Sequence, residues 1–280
     1  MVNSASISSE ILAKRAARAV PGATTAYLVL DTESVPDGDL LRRVKYAGET
    51  LSPEEAIVRA QAEAREQSNS GSDFLPVTFQ TPVAVCVLRV ADDFTLQQIT
   101  SLDAPQFRTP EIVRQFWRGV AHYPRARLVT FNGRTFDMPL LELAAYDYGF
   151  SARDYFQSSR NRYNGNHLDL FDWLSNFGAC RLAGGLNLLA KRLRKPGKMG
   201  VAGDQVAALH RDGRLREIND YCLCDTLDTY FVFLRTRVLV GELTAEQEQT
   251  LVRRAREWLA AQASALPALQ QYLDHWPEGE

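Results

Sequence analysis

YLVLDTE at residues 27–33 is an apolar run that ends in two carboxylates, Asp31 and Glu33. Its composition predicts a buried β-strand over residues 26–31. Side chains alternate between the two faces of a strand, so Asp31 and Glu33 point to the same face. The strand therefore delivers two carboxylates to one end of a sheet, although a pair of this kind also occurs at solvated strand ends.

A second acidic segment follows another apolar run. FNGRTFD, residues 131–137, comes after a strand predicted over residues 127–131 and contains Asn132 and Asp137. In open α/β sheets, functional groups gather outside the carboxyl ends of the strands, so this segment is expected beside Asp31. The alternative is that Asn132 and Asp137 serve as loop and helix N-cap residues, since aspartate is favoured at an N-cap.

The third segment, YCLCD at residues 221–225, lies in a helical pattern. Tyr221 and Asp225 are four residues apart and share one face of that helix. Together the three segments predict a site rich in carboxylate oxygens, which suits Mg²⁺ or Mn²⁺ rather than zinc. The competing interpretation is a core tyrosine beside an aspartate that makes only a surface ion pair.

Composition and charge narrow the class of protein. The chain has 280 residues, 45% of them hydrophobic, which is ordinary for a globular protein with a core. No apolar run approaches the roughly 18 residues of a membrane span, and the N-terminal segment lacks the apolar stretch of a secretory signal. The four cysteines form no Cys-x-x-Cys pair, so neither a zinc knuckle nor a disulfide framework is expected. We expect a cytoplasmic protein with no membrane partner, and the net charge of −2 disfavours indiscriminate nucleic-acid binding.

The order of predicted elements indicates an α/β fold with a mixed five-stranded sheet flanked by helices. Besides the two strands above, the hydrophobic pattern predicts strands at 83–90 and 94–100 that form a hairpin, a short strand at 167–170, and helices near 109–122, 139–149, 186–194, 204–211, 215–238 and 244–273. We divide the chain into an N-terminal arm (1–24), a core domain (25–240) with an insertion (34–76), and a C-terminal helical extension (241–280). A capping box at Ser52 predicts a helix over 53–67 within the insertion.

Four longer phrases carry a family resemblance. They resemble the predicted 3′-5′ exonuclease family related to the proofreading domain of B-family DNA polymerases. The four phrases are FNGRTFDMPLLEL, HLDLFDWLS, KPGKMGVAGDQV and YCLCDTLDTYFVFLR. That family is similar to the tyrosine-type members of the DEDD superfamily of exonucleases. The resemblance extends from about Tyr27 to about Arg237 and implies an RNase H-like fold for the core domain.

The resemblance implies a metal-dependent 3′-5′ exonuclease that hydrolyses phosphodiester bonds at the 3′ end of single-stranded DNA and releases 5′-nucleoside monophosphates. Two Mg²⁺ or Mn²⁺ ions would be held by four carboxylates. Asp31, Glu33 and Asp225 would hold the ion that activates water. Asp31 would bridge to a second ion, which Asp137 would support directly or through water. Tyr221 would orient the attacking water, because a phenol with a pKa near ~10 is a poor base at neutral pH.

The predicted substrate contacts are Thr32, Asn132, Phe136 and Lys198. Phe136 could stack on a terminal base, with core packing as the alternative. Lys198 ends a basic stretch that also contains Lys191, Arg192, Arg194 and Lys195. Positive charge on a glycine-containing loop suits phosphate contacts, whereas the alternative is a solvated helix end whose cations complement the helix dipole.

The segment HLD at residues 167–169 ends a predicted strand close to the acidic centre. We expect Asp169 to cap the following helix or to support the site from outside rather than to bind metal directly. Arg160 and Arg162, in the polar stretch before this strand, are candidates to line the path of the substrate.

Three functions are compatible with the sequence. The first is the single-stranded DNA exonuclease, acting in trans with replication or repair proteins because no polymerase palm or fingers fit within this length. The second is an RNA 3′-end trimming exonuclease. Protein contacts to the 2′-hydroxyl groups of the substrate would distinguish it from the DNA exonuclease. The third is a non-catalytic nucleic-acid-binding module. Its signature would be the loss of a carboxylate, and all four are present.

Overall fold

The computed structural model describes residues 24–163, 165–199 and 205–277. The protein is built on a five-stranded sheet of β1 (Thr25–Pro36), β2 (Gln80–Ala91), β3 (Leu96–Ser101), β4 (Arg127–Thr130) and β5 (His167–Asp169). The strand order is β3-β2-β1-β4-β5, with antiparallel β1–β2 and β2–β3 pairs and parallel β1–β4 and β4–β5 pairs. The predicted mixed sheet and its hairpin are confirmed. The N-terminal arm (1–24) lies outside the described residues, apart from its last residue.

Helices flank both faces of this sheet. Within the described residues they are α1 (Gly38–Val44), α2 (Pro53–Gln67), α3 (Thr109–His122), α4 (Asp137–Tyr148), α5 (Leu170–Leu174), α6 (Gly185–Arg192), α7 (Val206–Arg211), α8 (Leu215–Leu239), α9 (Ala245–Gln262) and α10 (Pro267–Asp274). A short π-helical turn (Tyr155–Ser159) precedes β5. In this part of the chain no helix combines the length and the apolar character that crossing a membrane requires.

The two faces of the sheet carry separate hydrophobic cores, and β1 contributes to both. Val29 packs into the core formed with α7, α8, α9 and α10. Leu28 and Leu30 pack into the opposite core, which is formed with α3 and α4. The face of β1 that carries the odd-numbered residues is therefore covered by the long helix α8, and this assignment places the carboxylates described below.

The first strand is longer than the sequence predicts. The expected strand ended at residue 31, but β1 continues to Pro36 because its second half pairs with β2 as far as Gln80. The parallel neighbour β4 pairs with β1 only as far as Val29. Asp31 and Glu33 thus lie inside a strand, not at its end, and on the stretch where the β4 side is open.

The C-terminal extension also differs from its prediction. The expected single helix over 244–273 is two helices, α9 and α10, and the second begins at Pro267. Proline has no backbone N–H and disfavours helical backbone in the residue before it, here the extended Leu266. The break lets α10 fold back onto α8, which it contacts.

The insertion contains one predicted helix and one that the sequence pattern did not reveal. The capping box of α2 is confirmed, since the Ser52 hydroxyl accepts from the Glu55 N–H and the Glu55 carboxylate accepts from the Ser52 N–H. The unpredicted helix is α1, capped by Asp37, whose carboxylate accepts from the Leu40 N–H at 2.8 Å. Only seven residues form α1, which is too short for a clear hydrophobic period.

Candidate active site

Three carboxylates from two distant parts of the chain meet beside β1. One oxygen from each of Asp31, Glu33 and Asp225 can be chosen so that all three lie within 4.8 Å of one another. Asp31 and Glu33 share the α8 face of β1 because they are two residues apart. Asp225 comes from α8, whose position is fixed partly by the Cys222 thiol that donates to the Asp31 carbonyl oxygen at 3.3 Å.

The electrostatics of this cluster show negative charge with little compensation. Burial is the main cause that raises the pKa of Asp31 and of Glu33, and the neighbouring carboxylates raise both pKa values further. Burial also raises the pKa of Asp225, to about 6, although the nearby Lys198 charge opposes that rise. Three hard oxygen donors that repel one another fit the requirements of a divalent cation such as Mg²⁺ or Mn²⁺.

Tyr221 lies one helical turn before Asp225 and touches the cluster directly. Its hydroxyl donates a hydrogen bond to the Asp225 carboxylate, which lowers the pKa of that carboxylate. Burial and the negative charges of Asp225 and Glu33 raise the pKa of the Tyr221 phenol far above its ordinary value. The phenol therefore stays protonated at neutral pH and acts as a hydrogen-bond donor, not as a base.

Asp137 belongs to the same region but not to the three-carboxylate cluster. It is the first residue of α4 and is only 4% exposed. The Thr32 hydroxyl donates to its carboxylate at 2.8 Å, and burial raises the pKa of Asp137 to about 7. Thr32 faces α4 because it alternates with Asp31 and Glu33 along β1. The negative charge of Asp137 nevertheless raises the pKa of Asp31, so the two carboxylates are electrostatic neighbours.

The loop between β4 and α4 is held in an unusual conformation. Asn132 has φ of 67°, a left-handed conformation that asparagine tolerates better than most residues. A Cβ atom on Gly133 would lie 2.4 Å from the Thr130 hydroxyl, so glycine is needed there. The Asn132 side-chain oxygen accepts from the Thr135 hydroxyl at 2.8 Å. The loop thus holds Asn132 just past the carboxyl end of β4.

Asp169 supports this loop and caps a helix, as the sequence predicted. Its carboxylate accepts from the backbone N–H groups of Asn132 at 2.9 Å and Arg134 at 2.8 Å. It also accepts from the first N–H groups of α5. The His167 ring is bonded to the Thr130 hydroxyl at 2.8 Å, and burial lowers its pKa to about 3, so the ring is neutral. These contacts use Asp169 and His167 as supports of the β4–α4 loop.

The remaining predicted substrate contacts occupy different surroundings. Lys198 is exposed, and its charge lowers the pKa of Glu33 and of Asp225, so it lies close to the cluster. Phe136 packs against Phe74 with ring centroids 5.6 Å apart, and Phe74 is 59% exposed. Thr32 is buried against Asp137. The roles of these residues and of Asn132 in substrate binding stay predictions.

A cleft of about 710 Å³ adjoins the β4–α4 loop. Asn132, Arg160 and Arg162 are among its lining residues. Each of the two arginines is paired with a carboxylate in the cleft, Arg160 with Glu142 at 3.0 Å and Arg162 with Asp172 at 2.5 Å. The prediction that these arginines line the substrate path is neither supported nor opposed by this pairing.

The sequence interpretation missed a buried network behind the cluster. Asp228, three residues after Asp225 on α8, is 1% exposed and accepts from the Tyr272 hydroxyl of α10 at 2.7 Å. It also accepts from the backbone N–H of Gly197, the residue before Lys198. The spacing from Asp225 was a signal for Asp228. Nothing in the sequence indicated Tyr272, its partner on α10, because this contact depends on how the C-terminal helices dock.

Replacing Tyr272 by phenylalanine tests this network. Tyr272→Phe should lower the free energy of unfolding by about 1–3 kcal/mol, because the buried Asp228 carboxylate loses a hydrogen-bond donor. Urea unfolding measures the change. The control is Tyr146→Phe, which removes a hydroxyl from a side chain that is 85% exposed and should leave the stability unchanged. Equal stability of the two variants would show that the Tyr272 hydroxyl contributes nothing.

The sheet order and the carboxylate cluster together define an α/β fold of the RNase H-like exonuclease type. Over residues 72–276 the sequence matches a family described as predicted 3′-5′ exonucleases related to the exonuclease domain of PolB, and the chain belongs to this family. No curated protein matches the sequence. The match includes Asp137, Tyr221 and Asp225 but begins after Asp31 and Glu33, and the structure joins these two to the rest of the site.

Proposed function

We propose that this protein is a metal-dependent 3′-5′ exonuclease that removes 5′-nucleoside monophosphates from single-stranded DNA. The observation that carries the proposal is the convergence of Asp31, Glu33 and Asp225 in a chain of this exonuclease family. A cluster of repelling carboxylates is costly to bury, and binding divalent cations removes that cost. The relation of the family to the exonuclease domain of PolB favours DNA over RNA.

The carboxylates have distinct positions relative to such ions. Asp31, Glu33 and Asp225 would hold one ion, and Asp31 with Asp137 would hold a second. Bound divalent ions supply a nucleophilic water at neutral pH and stabilise charge on the leaving oxygen. Asp137 accepts from Thr32 and is an electrostatic neighbour of Asp31, so we assign its contribution to the second ion, directly or through water.

Lys198 and Asn132 would bind the substrate. Lys198 is exposed and close to Glu33 and Asp225, which supports a contact with the phosphate that is cleaved. Asn132 lines the cleft beside the β4–α4 loop, which supports a contact with the substrate. Phe136, with Phe74 of the insertion, offers aromatic rings for a terminal base.

Tyr221 would orient the attacking water through its hydroxyl. Tyr221→Phe removes that donor and keeps the ring, so single-turnover hydrolysis should slow by roughly 10²–10⁴-fold, the range for one positioned catalytic group. Mn²⁺ affinity, measured by calorimetry, should change little, because the phenol is not a ligand. Hydrolysis at the wild-type rate would make Tyr221 a core residue only. A parallel loss of Mn²⁺ binding would make it part of the ion site.

The preferred nucleic acid is tested with matched oligonucleotides. Single-stranded DNA and single-stranded RNA of the same sequence are incubated separately with the protein and Mn²⁺. The measurement compares the rates at which the two strands release 5′-mononucleotides, which are identified by mass spectrometry. We expect faster release from DNA. Faster release from RNA would favour the RNA-trimming function, and binding without any release would favour a non-catalytic module. An association in trans with replication or repair proteins belongs to the same proposal, since the family is related to the exonuclease domain of PolB.

A further inference from the structure

A groove of about 660 Å³ lies between the second half of α8, helix α9 and the segment that follows α6. Five cationic residues line it: Arg194, Lys195, Arg235, Arg253 and Arg256. Among the residues that the structure describes, two carboxylates, Glu248 and Glu257, also line it. The groove therefore has an excess of positive charge in a chain whose formal net charge is −2.

The pairing of these charges leaves several guanidinium groups available. Glu248 is 4% exposed and is held by Arg235 at 2.8 Å. Arg194, Arg253 and Arg256 make no ion pair with a carboxylate anywhere in the described part of the chain, and two of them, Arg194 and Arg253, are exposed. Guanidinium groups bind phosphate through paired hydrogen bonds, so this wall of the groove is suited to a polyanion.

The groove and the candidate active site both include residues of α8. Arg235 lies ten residues after Asp225, which corresponds to about 15 Å along the helix axis. Between them, Asp228 binds the Gly197 N–H and the Tyr272 hydroxyl. Lys195 sits against the ring of Trp276 with 4.6 Å between its Nζ and the ring centroid. The loop that carries Lys198 is thus fixed between the cluster and the groove.

We propose that this basic groove binds the sugar-phosphate backbone of the substrate strand upstream of its 3′ end. The proposal rests on the proposed nuclease function. With about 3.4 Å per stacked nucleotide, a distance of ~15 Å corresponds to four or more nucleotides from the cleavage site. A long single strand therefore reaches the groove, and a trinucleotide does not. Because the groove includes residues of the helix that carries Asp225, the substrate strand of the proposed nuclease is favoured over an acidic peptide as the occupant.

The test compares substrates of two lengths. In the double variant Arg253→Gln with Arg256→Gln, the KM for an oligonucleotide of about 15 residues should rise by about 25-fold, roughly fivefold for each of the two lost phosphate contacts. The kcat should be unchanged, as should hydrolysis of a trinucleotide. The salt dependence of binding should also weaken, with the slope of log K against log salt falling by about 0.7 for each contact.

A matched control removes two arginines from the opposite face of the sheet. Arg118→Gln with Arg125→Gln changes the net charge equally at two exposed positions and should leave the KM unchanged. Equal effects of both double variants, or equal effects on the trinucleotide and the long strand, would overturn the groove assignment. Arg256 packs on Trp276, so Arg253→Gln alone serves as a second variant, with a smaller rise in KM expected.

Binding without hydrolysis separates the groove from the nuclease function. Fluorescence anisotropy of a labelled DNA strand, measured in EDTA, should show weaker binding by the groove variant even if no strand is cleaved. A preparation that hydrolyses nothing but shows this difference would contradict the nuclease proposal and leave the groove as a nucleic-acid site. Competition by a glutamate-rich peptide as strong as that by DNA would instead assign the groove to a protein partner.

Discussion

Asp225→Asn should abolish nuclease activity and at the same time stabilise the metal-free protein. The loss of activity follows from the loss of a metal ligand. Removing a single electrostatic donor from an active site costs ~10²–10³-fold in rate, so removing an ion ligand should cost at least ~10³-fold. The gain in stability follows from the raised pKa of Asp225, whose main cause is burial of the carboxylate. A neutral amide removes the cost of burying that charge, and it also ends the effect by which Asp225 raises the pKa values of Asp31 and Glu33.

The stability gained through Asp225→Asn should depend on pH in a characteristic way. An aspartate in the unfolded chain titrates near ~3.9, whereas the native Asp225 titrates at about 6. The native state therefore binds the proton more tightly, and Asp225 destabilises the fold increasingly as pH rises from about 4 to 6. The advantage of Asp225→Asn should be near zero at pH 4 and on the order of 2–3 kcal/mol at pH 8.

Urea unfolding of both proteins in EDTA, at several pH values, measures this difference. Comparing variant with wild type cancels the contributions of shared groups such as His167, whose lowered pKa acts in the opposite direction. The control Asp147→Asn changes an exposed carboxylate and should show no such trend. If Asp225→Asn is less stable than wild type at pH 8 in EDTA, the account of the cluster as a set of repelling carboxylates is wrong.

Removal of divalent ions should have an effect as large as the mutation. EDTA should stop hydrolysis, and Mn²⁺ or Mg²⁺ should restore it, because the carboxylates cannot activate water by themselves. The same ions should raise the melting temperature, since they bind the native cluster and not the unfolded chain. Calorimetry and thermal unfolding, with and without Mn²⁺, measure both effects.

The variant Glu33→Gln separates the effect of ions bound at the carboxylate cluster from general effects of ions on the protein. It should lose most of the Mn²⁺-dependent rise in melting temperature, whereas Asp147→Asn should retain it. Full hydrolysis by a metal-free preparation in EDTA would contradict the metal-dependent mechanism. Activity that depends on Mn²⁺ but survives Glu33→Gln and Asp225→Asn would place the ions elsewhere.

Local rules of strand and helix geometry correctly predicted which acidic side chains share a face on each element of the cluster. The period of two on β1 correctly put Asp31 and Glu33 on one face, and the four-residue spacing on α8 put Tyr221 beside Asp225. The same period of two puts Thr32 on the opposite face, where it holds Asp137. The face that carries Thr32 therefore follows from the sequence alone, whereas its hydrogen bond to Asp137 depends on the docking of α4.

Other features depend on contacts between distant elements and had no local signal. The length of β1 is set by pairing with β2 beyond the point where β4 ends. The network of Asp228, Tyr272 and Gly197 forms only when α10 docks on α8. The groove of the C-terminal extension likewise combines side chains from α8, α9 and the segment after α6, which are far apart in the sequence.

The most direct test of the proposed function compares linear and circular single-stranded DNA of the same sequence. With Mn²⁺ and a label at the 5′ end, the linear strand should shorten one nucleotide at a time from its 3′ end, and the circle should stay intact. Asp225→Asn, assayed in parallel, should leave both substrates intact and exclude a contaminating nuclease. Cleavage of the circle at a comparable rate, or shortening from the 5′ end, would contradict a 3′-5′ exonuclease.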